Sequence, residues 1–490
     1  MREYIGRALG FLNPVRLIGD RQATIDTIEP GSIMVAPRKP IDRFDVAAIT
    51  EVLDLAAKIG AVLLDSGTAA IDTQRQIEFV AAIYGLEDVE VDVTYNTIIV
   101  SARRGATLPP ITTMEQVYYR SLDFTRLAQI DRLVRGIRNM AITPGNAHRR
   151  VDAIINAPHP YPHWVANGSW GMMAAGIAVL LGGGGLAAVL AFVTTVVIVV
   201  VNRRLNRLGT PVFFQQLTGG FIAVVPAAVT FGLIDRLPVE LSPSLVIAAG
   251  IVVLLSGLSL VGSVQDAITG APITGVARFF ELVLMTGGLI AGVGIAIKLL
   301  EEGGIYLPTF TANTAFAAVD VPIQMLSGAV ASAAFALASY AERRALPVAF
   351  MAGAIGAAIV AAFTLFTVGD VVAYGVAAAV VGLVGGLLAR RALTPPLVVA
   401  VAGITPLLPG LAVYRGLYGL LNEQTVVGIT WMTNAFAIGV SLAAGVTLGE
   451  FIARSLRRPQ LSVRPRWMTV LRPDRVNVRP HLPRRRQPPT

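Results

Sequence analysis

Apolar segments of about twenty residues follow one another from Trp164 to Ile452, with short polar stretches between them. A helix of that length matches the ~30 Å hydrocarbon thickness of a bilayer, and helical backbone satisfies its own polar groups in lipid. The pattern therefore predicts ten membrane-spanning helices. They are Trp164–Leu181, Leu186–Val201, Phe214–Ile234, Leu245–Val264, Val276–Leu300, Pro322–Tyr340, Leu346–Phe366, Val371–Leu388, Leu397–Leu421 and Thr425–Ile452.

The charges between these segments alternate in sign. One set of loops contains Arg203, Arg204, Arg207, Arg278, Arg343, Arg344, Arg390 and Arg391. The other set contains mainly acids: Asp235, Glu240, Glu301, Glu302, Asp320, Asp370 and Glu423. Basic loops stay in the cytoplasm. The alternation holds only if Gly182–Gly185 is a turn, which predicts ten spans with both termini cytoplasmic.

The residues before the first span predict a cytoplasmic α+β domain over 41–160, preceded by loosely ordered residues 1–40. Helical and alternating apolar periodicities appear in succession along this segment. The predicted elements are helices at Asp42–Leu64, Ala70–Tyr84, Asp123–Ala141 and Ala147–Ala157, a hairpin at Val89–Val100 and a strand at Gln116–Ser121. No N-terminal signal peptide is visible, which favours a cytoplasmic location.

Composition narrows the class of protein further. The chain is 54% hydrophobic and 14% charged, which is typical of a membrane protein. It has no cysteine, and its four histidines lack metal-ligand spacing, so we expect no disulfide, metal or cofactor. It also lacks the glycine-rich phosphate-binding loop of ATP-driven pumps. From these features we expect that the protein is neither an enzyme nor an ATP-driven pump.

The net charge of +9 lies in the C-terminal tail. Residues 454–490 carry eleven arginines, one acid and seven prolines, whereas the rest of the chain is close to neutral. Such a composition predicts a disordered cytoplasmic segment that touches anionic lipid headgroups. No aromatic-interleaved fold accompanies the arginines, so we do not expect nucleic acid as a partner.

Several motifs over residues 45–453 resemble the bacterial threonine/serine exporter family. They are Asp65-Ser66-Gly67-Thr68, Gln76-Ile77-Glu78, Gly85-Leu86, the Leu127–Leu133 helix, Gln265–Gly270, Thr274–Glu281 and Leu408–Tyr418. The resemblance implies an inner-membrane carrier that exports threonine and serine with the proton motive force. Ser256-Gly257 stands in the first half where Pro409-Gly410 stands in the second, so the resemblance does not assign a role to that position in the first half.

The residues also predict an internal repeat. The segment around Ser256-Gly257 in the fourth span resembles the one around Pro409-Gly410 in the ninth. Each belongs to a five-span half, residues 161–301 or 302–453, and an odd number of spans inverts the second half. Inverted repeats with interrupted helices at the midplane are typical of secondary transporters. Chance similarity between apolar segments remains an alternative.

Arg415 is the clearest ionisable side chain within a predicted span. An intramembrane arginine indicates a functional site, and its guanidinium suits the carboxylate of an amino acid. We therefore expect a substrate site that contains Arg415, Pro409, Gly410, Gly257 and Asn434. The alternative is that Arg415 extends to the membrane surface beside neighbouring tyrosines.

Asp266, Arg278 and Glu281 are the candidates for proton coupling. Arg278 and Glu281 are three residues apart and share a helix face. A proton-coupled carrier needs a carboxylate whose pKa burial can raise towards neutrality. A simple salt bridge at the membrane rim is the competing interpretation.

Together these features favour a secondary exporter of threonine and serine in a bacterial plasma membrane. Its expected partners are protons and membrane lipid, and the sequence does not determine its oligomeric state. A membrane-anchored sensory or interaction protein is the alternative. A hydrolase using Asp65-Ser66 or Asp72 is disfavoured, because no histidine or lysine stands at a suggestive position in the soluble segment.

Overall fold

The computed structural model describes residues 41–457, apart from Arg43, Ala106, 118–121, Ala141, 235–241, Ser256, 307–320, 367–368 and 389–393. The loosely ordered segment expected at residues 1–40 and nearly all of the expected basic tail therefore lie outside the described residues.

The N-terminal segment, residues 46–156, combines four helices with a three-stranded sheet. Its elements are α1 (Val46–Asp65), α2 (Ala70–Ile83), β1 (Val89–Thr94), β2 (Thr97–Ala102), β3 (Ile111–Gln116), α3 (Phe124–Met140) and α4 (Pro144–Asn156). The carboxylate of Asp45 caps α1 by accepting a hydrogen bond from the backbone N–H of Ala48. Asp42, the expected start, instead accepts from the N–H of Phe44 in the preceding turn.

The sheet is antiparallel in the order β1-β2-β3. The predicted hairpin is present, and the third strand is Ile111–Gln116; most of the strand predicted at Gln116–Ser121 lies outside the described residues. Met114 lies opposite Ile99, and Thr113 opposite Val100.

The remaining helices are mostly apolar and follow one another to the end of the described chain. They are α5 (His163–Leu180), α6 (Gly185–Arg207), α7 (Val212–Ile234), α8 (Pro243–Leu254), α9 (Gly257–Thr269), α10 (Pro272–Glu302), α11 (Val321–Ala338), α12 (Ala345–Leu365), α13 (Asp370–Leu388), α14 (Pro396–Ile404), α15 (Gly410–Leu421) and α16 (Thr425–Arg457). The turn expected at Gly182–Gly185 separates α5 from α6, and Gly182 has a φ of +93°.

Seven of the described helices are long and apolar enough to cross a membrane: α6, α7, α10, α11, α12, α13 and α16. Two further pairs of helices, α8 with α9 and α14 with α15, are long and apolar enough only when each pair is taken as one span. Counting each pair as one span gives up to nine spans among the described residues. Helix α5, the first predicted span, is not in this group. Its N-terminal half contains the polar residues His163, Asn167 and Ser169.

Both joint pairs are sharply bent. Helices α8 and α9 meet at 50°, near the Ser256-Gly257 position. Helices α14 and α15 meet at 40°, and a single 3-10 turn, Thr405–Leu407, lies between them. Pro406 and Pro409 lack backbone N–H donors, so an α-helix cannot continue through them. The interruption predicted for the ninth span is therefore present.

Similar packing contacts occur on the two sides of the gap at residues 307–320. Helix α7 packs against α10, and α13 packs against α16. Glycines permit both approaches: a Cβ added at Gly288 would lie 2.7 Å from the carbonyl oxygen of Phe213, and one at Gly382 would lie 2.6 Å from that of Val446. Small residues of this kind let membrane helices approach closely.

Candidate functional site

The two broken helix pairs cross near their breaks. Helix α8 packs against α15, and α9 contacts α14. The closest approach is at Gly410, where an added Cβ would lie 2.8 Å from the carbonyl oxygen of Ala248 and 3.2 Å from the backbone nitrogen of Val252. No larger residue fits there without moving backbone. The break between α14 and α15 thus lies against the backbone of helix α8, a distant part of the chain.

Arg415 lies on α15, about 8 Å beyond Gly410 along the helix axis at 1.5 Å per residue. Its guanidinium carbon is 4.5 Å from the centre of the Trp431 ring on α16. A cation over an indole face is stabilised by the ring quadrupole. The contact therefore fixes the side chain against α16, and both residues are half-buried.

The other predicted substrate residues occupy two kinds of position. Pro409 is the N-cap of α15, Gly410 its first residue, and Gly257 the first residue of α9. Asn434 is half-buried on α16, about one helical turn beyond Trp431. Three candidates are thus at helix breaks, whereas Arg415 and Asn434 lie further along α15 and α16.

Asp266 and Arg278 form an ion pair between α9 and α10. Arg278 Nη1 is 2.5 Å from Asp266 Oδ2, and the two side chains are 2% and 0% exposed. The other carboxylate oxygen of Asp266 accepts a hydrogen bond of 2.7 Å from the backbone N–H of Ala70. Ala70 is the first residue of α2, so Asp266 caps a helix of the N-terminal segment.

Glu281 also contacts the N-terminal segment. Its Oε2 accepts a 3.2 Å hydrogen bond from the hydroxyl of Tyr95, at the turn between β1 and β2. The backbone N–H of Tyr95 donates to Thr274 Oγ1 at 3.0 Å. Tyr95 has a φ of +53°, a left-handed conformation that aims the hairpin turn at α10.

The three residues assigned to proton coupling therefore lie where the N-terminal segment packs on α9 and α10. Asp266 and Arg278 form an ion pair between the end of α9 and the start of α10, and both side chains are buried where the N-terminal segment packs on them. Sequence analysis did not anticipate the contacts to Ala70 and Tyr95, which are 196 and 186 residues away from their partners.

A second set of contacts joins the N-terminal segment to the loop between α11 and α12. Arg132 on α3 forms two hydrogen bonds with Glu342, at 2.9 and 2.5 Å. This hydrogen-bonded guanidinium holds the pKa of the Glu342 carboxyl below its ordinary value. The carboxylate in turn raises the pKa of Arg132, so both groups are charged at neutral pH. The backbone N–H of Phe124 donates to the carbonyl of Ser339.

A third contact involves the end of α16. Arg454 donates hydrogen bonds of 3.3 and 3.2 Å to the two carboxylate oxygens of Asp72 on α2. The N-terminal segment thus contacts helices from both sides of the 307–320 gap. Within the described part of the chain, no three His, Asp or Glu residues are grouped so as to hold a metal ion.

Long apolar helices, two broken pairs at the centre and a docked N-terminal segment define a multi-pass helical membrane protein. Comparison with protein families then identifies the family to which this membrane protein belongs. The model described as "Putative threonine/serine exporter" matches residues 54–300, and the one described as "Threonine/Serine exporter, ThrE" matches residues 324–452. The chain belongs to the threonine/serine exporter family, which is a family of transporters.

Two relatives match over most of their length. The "Threonine/serine exporter" of Corynebacterium glutamicum is 44% identical over 86% of this chain and 87% of the relative. The "Probable threonine/serine exporter" of Mycobacterium tuberculosis (strain ATCC 25618 / H37Rv) is 39% identical over 83% of this chain and 77% of the relative. No solved structure matches the chain. The sensory alternative finds no support in these relatives.

Proposed function

We propose that the protein is a secondary transporter that exports threonine and serine across the bacterial plasma membrane, driven by the proton motive force. The observation that carries this proposal is the crossing of two broken helices at Gly410. Interrupted helices that meet inside a bundle expose backbone polar groups, and secondary transporters bind substrate at such breaks. The names of the relatives supply the substrate.

The proposal includes ten spans in two inverted halves, residues 161–301 and 302–453. Counting α5 as the first span gives five spans per half, with the broken pair fourth in each. Third and fifth spans pack together in both halves, and α5 packs against its counterpart α11. The basic residues at the end of α6 and in the loop before α12 support a cytoplasmic location for the N-terminal domain, residues 41–160, and for both termini.

In this ten-span arrangement the substrate site lies between the two helix breaks, α8–α9 and α14–α15, and the packed pair of helices α15 and α16. The guanidinium of Arg415 binds the substrate carboxylate, while Asn434 on α16 offers neutral hydrogen-bonding groups. Pro409, Gly410 and Gly257 keep the helices broken and closely packed. Trp431 holds Arg415 in place before the carboxylate binds. The cation–π contact is worth only about 0.5–2 kcal/mol, so the carboxylate can replace it.

Proton coupling is assigned to Asp266, Glu281 and Arg278. The Asp266–Arg278 pair is buried between the C-terminal end of α9 and α10, where Asp266 also contacts Ala70 of the N-terminal segment. A proton that neutralised Asp266 would remove the counter-charge of Arg278 beside the start of α2. Protonation would therefore loosen the N-terminal domain from the membrane helices, which links proton uptake to a conformational change.

Efflux from liposomes tests the proposal. The full chain is reconstituted, the vesicles are loaded with radiolabelled threonine, and efflux is followed with and without an imposed pH gradient. We expect efflux above that of protein-free vesicles, inhibition by serine, and a rate that depends on the gradient. Efflux no faster than in empty vesicles contradicts the transporter; efflux without gradient dependence contradicts only the coupling.

A further inference from the structure

Three polar groups meet where helices α6, α7 and α8 come together. Gln216 on α7 donates a 3.3 Å hydrogen bond from Nε2 to the carbonyl oxygen of Leu254, the last residue of α8. Asn202 on α6 approaches the same place, because a Cβ added at Gly219 would lie 3.5 Å from Asn202 Nδ2 and 2.8 Å from Leu254 Cδ2. Gly219 is about one helical turn from Gln216. The two amide side chains therefore flank the end of α8, at the break in the fourth span.

Both amide side chains have an acceptor oxygen that the described residues do not satisfy. Asn202 Oδ1 and Gln216 Oε1 are buried and have no hydrogen-bond partner within the described part of the chain. The carbonyl oxygen of Leu254 is in the last turn of α8, where intrahelical donors are missing, and a carbonyl oxygen has two lone pairs. Buried acceptors without a donor cost free energy. The cluster therefore suits a group that donates several hydrogen bonds at once.

Two threonine hydroxyls continue this polar surface along α6. Thr194 and Thr195 are 1% and 0% exposed, and neither hydroxyl has a partner among the described residues. A helical threonine commonly donates to the carbonyl four residues earlier, as Thr218 and Thr286 do. Thr195 precedes Asn202 by about two helical turns, so both lie on the same face. This face of α6 is thus polar for about 10 Å beyond Asn202.

The cluster is distinct from the Arg415 site. Gly410 touches α8 at Val252, two residues before Leu254, so Leu254 lies about 3 Å past the crossing along α8. Arg415 lies about 8 Å past the crossing along α15. In the proposed ten-span arrangement the two broken spans run in opposite directions, so these positions are on opposite sides of the crossing. The ammonium and carboxylate groups of an amino acid are attached to the same carbon, so one molecule does not occupy both positions at once.

We propose that Asn202, Gln216 and the carbonyl of Leu254 bind the ammonium group of the amino acid at an entry site on the cytoplasmic side of the crossing. An ammonium group has three N–H donors, which matches the three acceptor oxygens, whereas a hydroxyl has one. Asn202 directly precedes Arg203 and Arg204, at the end of α6 that the proposed topology places in the cytoplasm. The inference rests on the proposed function for its ligand and its direction.

The chemistry of the two positions gives the substrate an order of contacts. On the cytoplasmic side neutral oxygens accept hydrogen bonds from its ammonium group, and beyond the crossing the guanidinium of Arg415 binds its carboxylate. Neutral acceptors hold the ammonium group without an ion pair, so the substrate can leave them as the broken helices move. A buried carboxylate in their place would retain the cation, because separating a buried ion pair is costly.

Removing one acceptor tests the site. Asn202→Leu keeps the approximate volume of the side chain and loses the amide oxygen. The half-saturating threonine concentration for uptake into inside-out vesicles should rise about tenfold, as for one hydrogen bond from a charged donor. 3-Hydroxybutyrate, which is threonine without its amino group, should inhibit the variant and the wild type equally. Arg415→Lys should instead weaken both compounds, because both have a carboxylate.

The outcomes separate this site from the export function. If the wild type transports threonine but Asn202→Leu has the same threonine affinity, or weakens both compounds equally, the entry site is wrong although the export function stands. If the wild type neither binds nor transports threonine, the proposed function fails and the site loses its ligand with it.

Gln216 provides a second test, with its neighbour as the matched control. Gln216→Leu should raise the half-saturating concentration as Asn202→Leu does, whereas Gln216→Glu keeps an acceptor oxygen and should bind threonine at least as tightly as the wild type. If the amide served only as a donor to Leu254, Gln216→Glu would fail like Gln216→Leu, and that result overturns the proposal. Gln215→Leu should keep the wild-type affinity, because the Gln215 amide instead donates to the carbonyl of Thr210.

Replacing sodium by choline distinguishes an ammonium group from a metal cation, since carbonyl oxygens in broken helices also coordinate Na⁺. Threonine affinity is measured in both salts for the wild type, Asn202→Leu and Gln216→Leu. The same wild-type affinity in both salts supports the proposal. A sodium requirement in the wild type that the two variants lose assigns the cluster to the ion and overturns it.

Discussion

The carboxylate of Asp266 accepts a hydrogen bond from the backbone N–H of Ala70, the first residue of α2, while its other oxygen is paired with Arg278. A side chain of α9 therefore supplies the cap that α2 lacks, since its own N-cap residue, Ala69, has no side-chain acceptor. The N-terminal segment is anchored through a helix end, and the acid that caps this end is itself held by a buried ion pair.

Asp266→Asn should strongly destabilise the protein. Asparagine can still accept from Ala70, but Arg278 is left buried without its counter-charge, which costs about 3–5 kcal/mol. Thermal unfolding in detergent should show a lower midpoint than for Glu301→Gln, which removes only an exposed pair with Lys298. Adding Arg278→Met should recover part of the loss. A variant with wild-type stability that merely loses its pH-gradient dependence would instead favour a pure coupling role.

Gly410→Ala should abolish export while the protein still inserts. The new methyl group would meet the Ala248 carbonyl oxygen at 2.8 Å, so the broken helices must move apart. Gly287→Ala is the matched control: it lies within α10, and an added Cβ has nothing within 4 Å. Efflux from liposomes is measured for both. Normal efflux by Gly410→Ala would contradict a transport role for the crossing.

Arg415→Lys should weaken threonine binding and leave insertion intact. Lysine keeps the positive charge but lacks the planar fork that binds a carboxylate with two hydrogen bonds. We expect the half-saturating threonine concentration to rise about tenfold or more in efflux assays. Arg204→Lys, at the end of α6, serves as the control. If Arg415→Lys keeps its wild-type threonine affinity, Arg415 does not bind the carboxylate.

The Arg132–Glu342 contact should stabilise the protein at neutral pH and lose its effect in acid. The pKa of Glu342 is lowered in the folded protein, so the stabilisation is present above its ordinary value near 4.5 and disappears as the pH falls through the lowered value. Glu342→Gln should therefore unfold at a lower temperature than the wild type at pH 7. The difference should vanish at the most acidic pH. Glu87→Gln, which is exposed, should show no such pH-dependent difference.

Cysteine labelling tests the orientation of the chain. With no native cysteine present, Glu423→Cys between α15 and α16 should react with a membrane-impermeant maleimide added to intact cells. Arg204→Cys at the end of α6 should react only after the cells are opened. The reverse pattern contradicts the cytoplasmic placement of the N-terminal domain.

Local chemistry made the helix breaks predictable. Pro406 and Pro409 act on their own backbone, so their effect follows from sequence alone. The pairing of Asp266 with Arg278 was also foreseeable, because only twelve residues and one tight turn separate them. Apolar periodicity likewise predicted α1, α2, α3 and the hairpin to within a few residues.

Contacts between distant elements were not predictable. Nothing local indicates that Asp266 caps Ala70 or that Arg454 binds Asp72, because helix docking is determined by surfaces assembled from the whole chain. Trp431 escaped notice for the same reason: only the carboxylate of a substrate was considered for Arg415, and a cation–π contact between helices has no spacing signature.

The contact between Asp72 and Arg454 joins residues 382 positions apart, so the ribosome completes α2 long before α16 exists. At about 5–20 residues per second, the delay is roughly 20–80 s. During that interval the surface of α2 that later meets Arg454 is open to water, to chaperones and to the emerging membrane helices. The contact between α2 and α16 can therefore form only near the end of translation. A nascent chain that stalls before Arg454 would lack this contact between the N-terminal segment and the membrane helices.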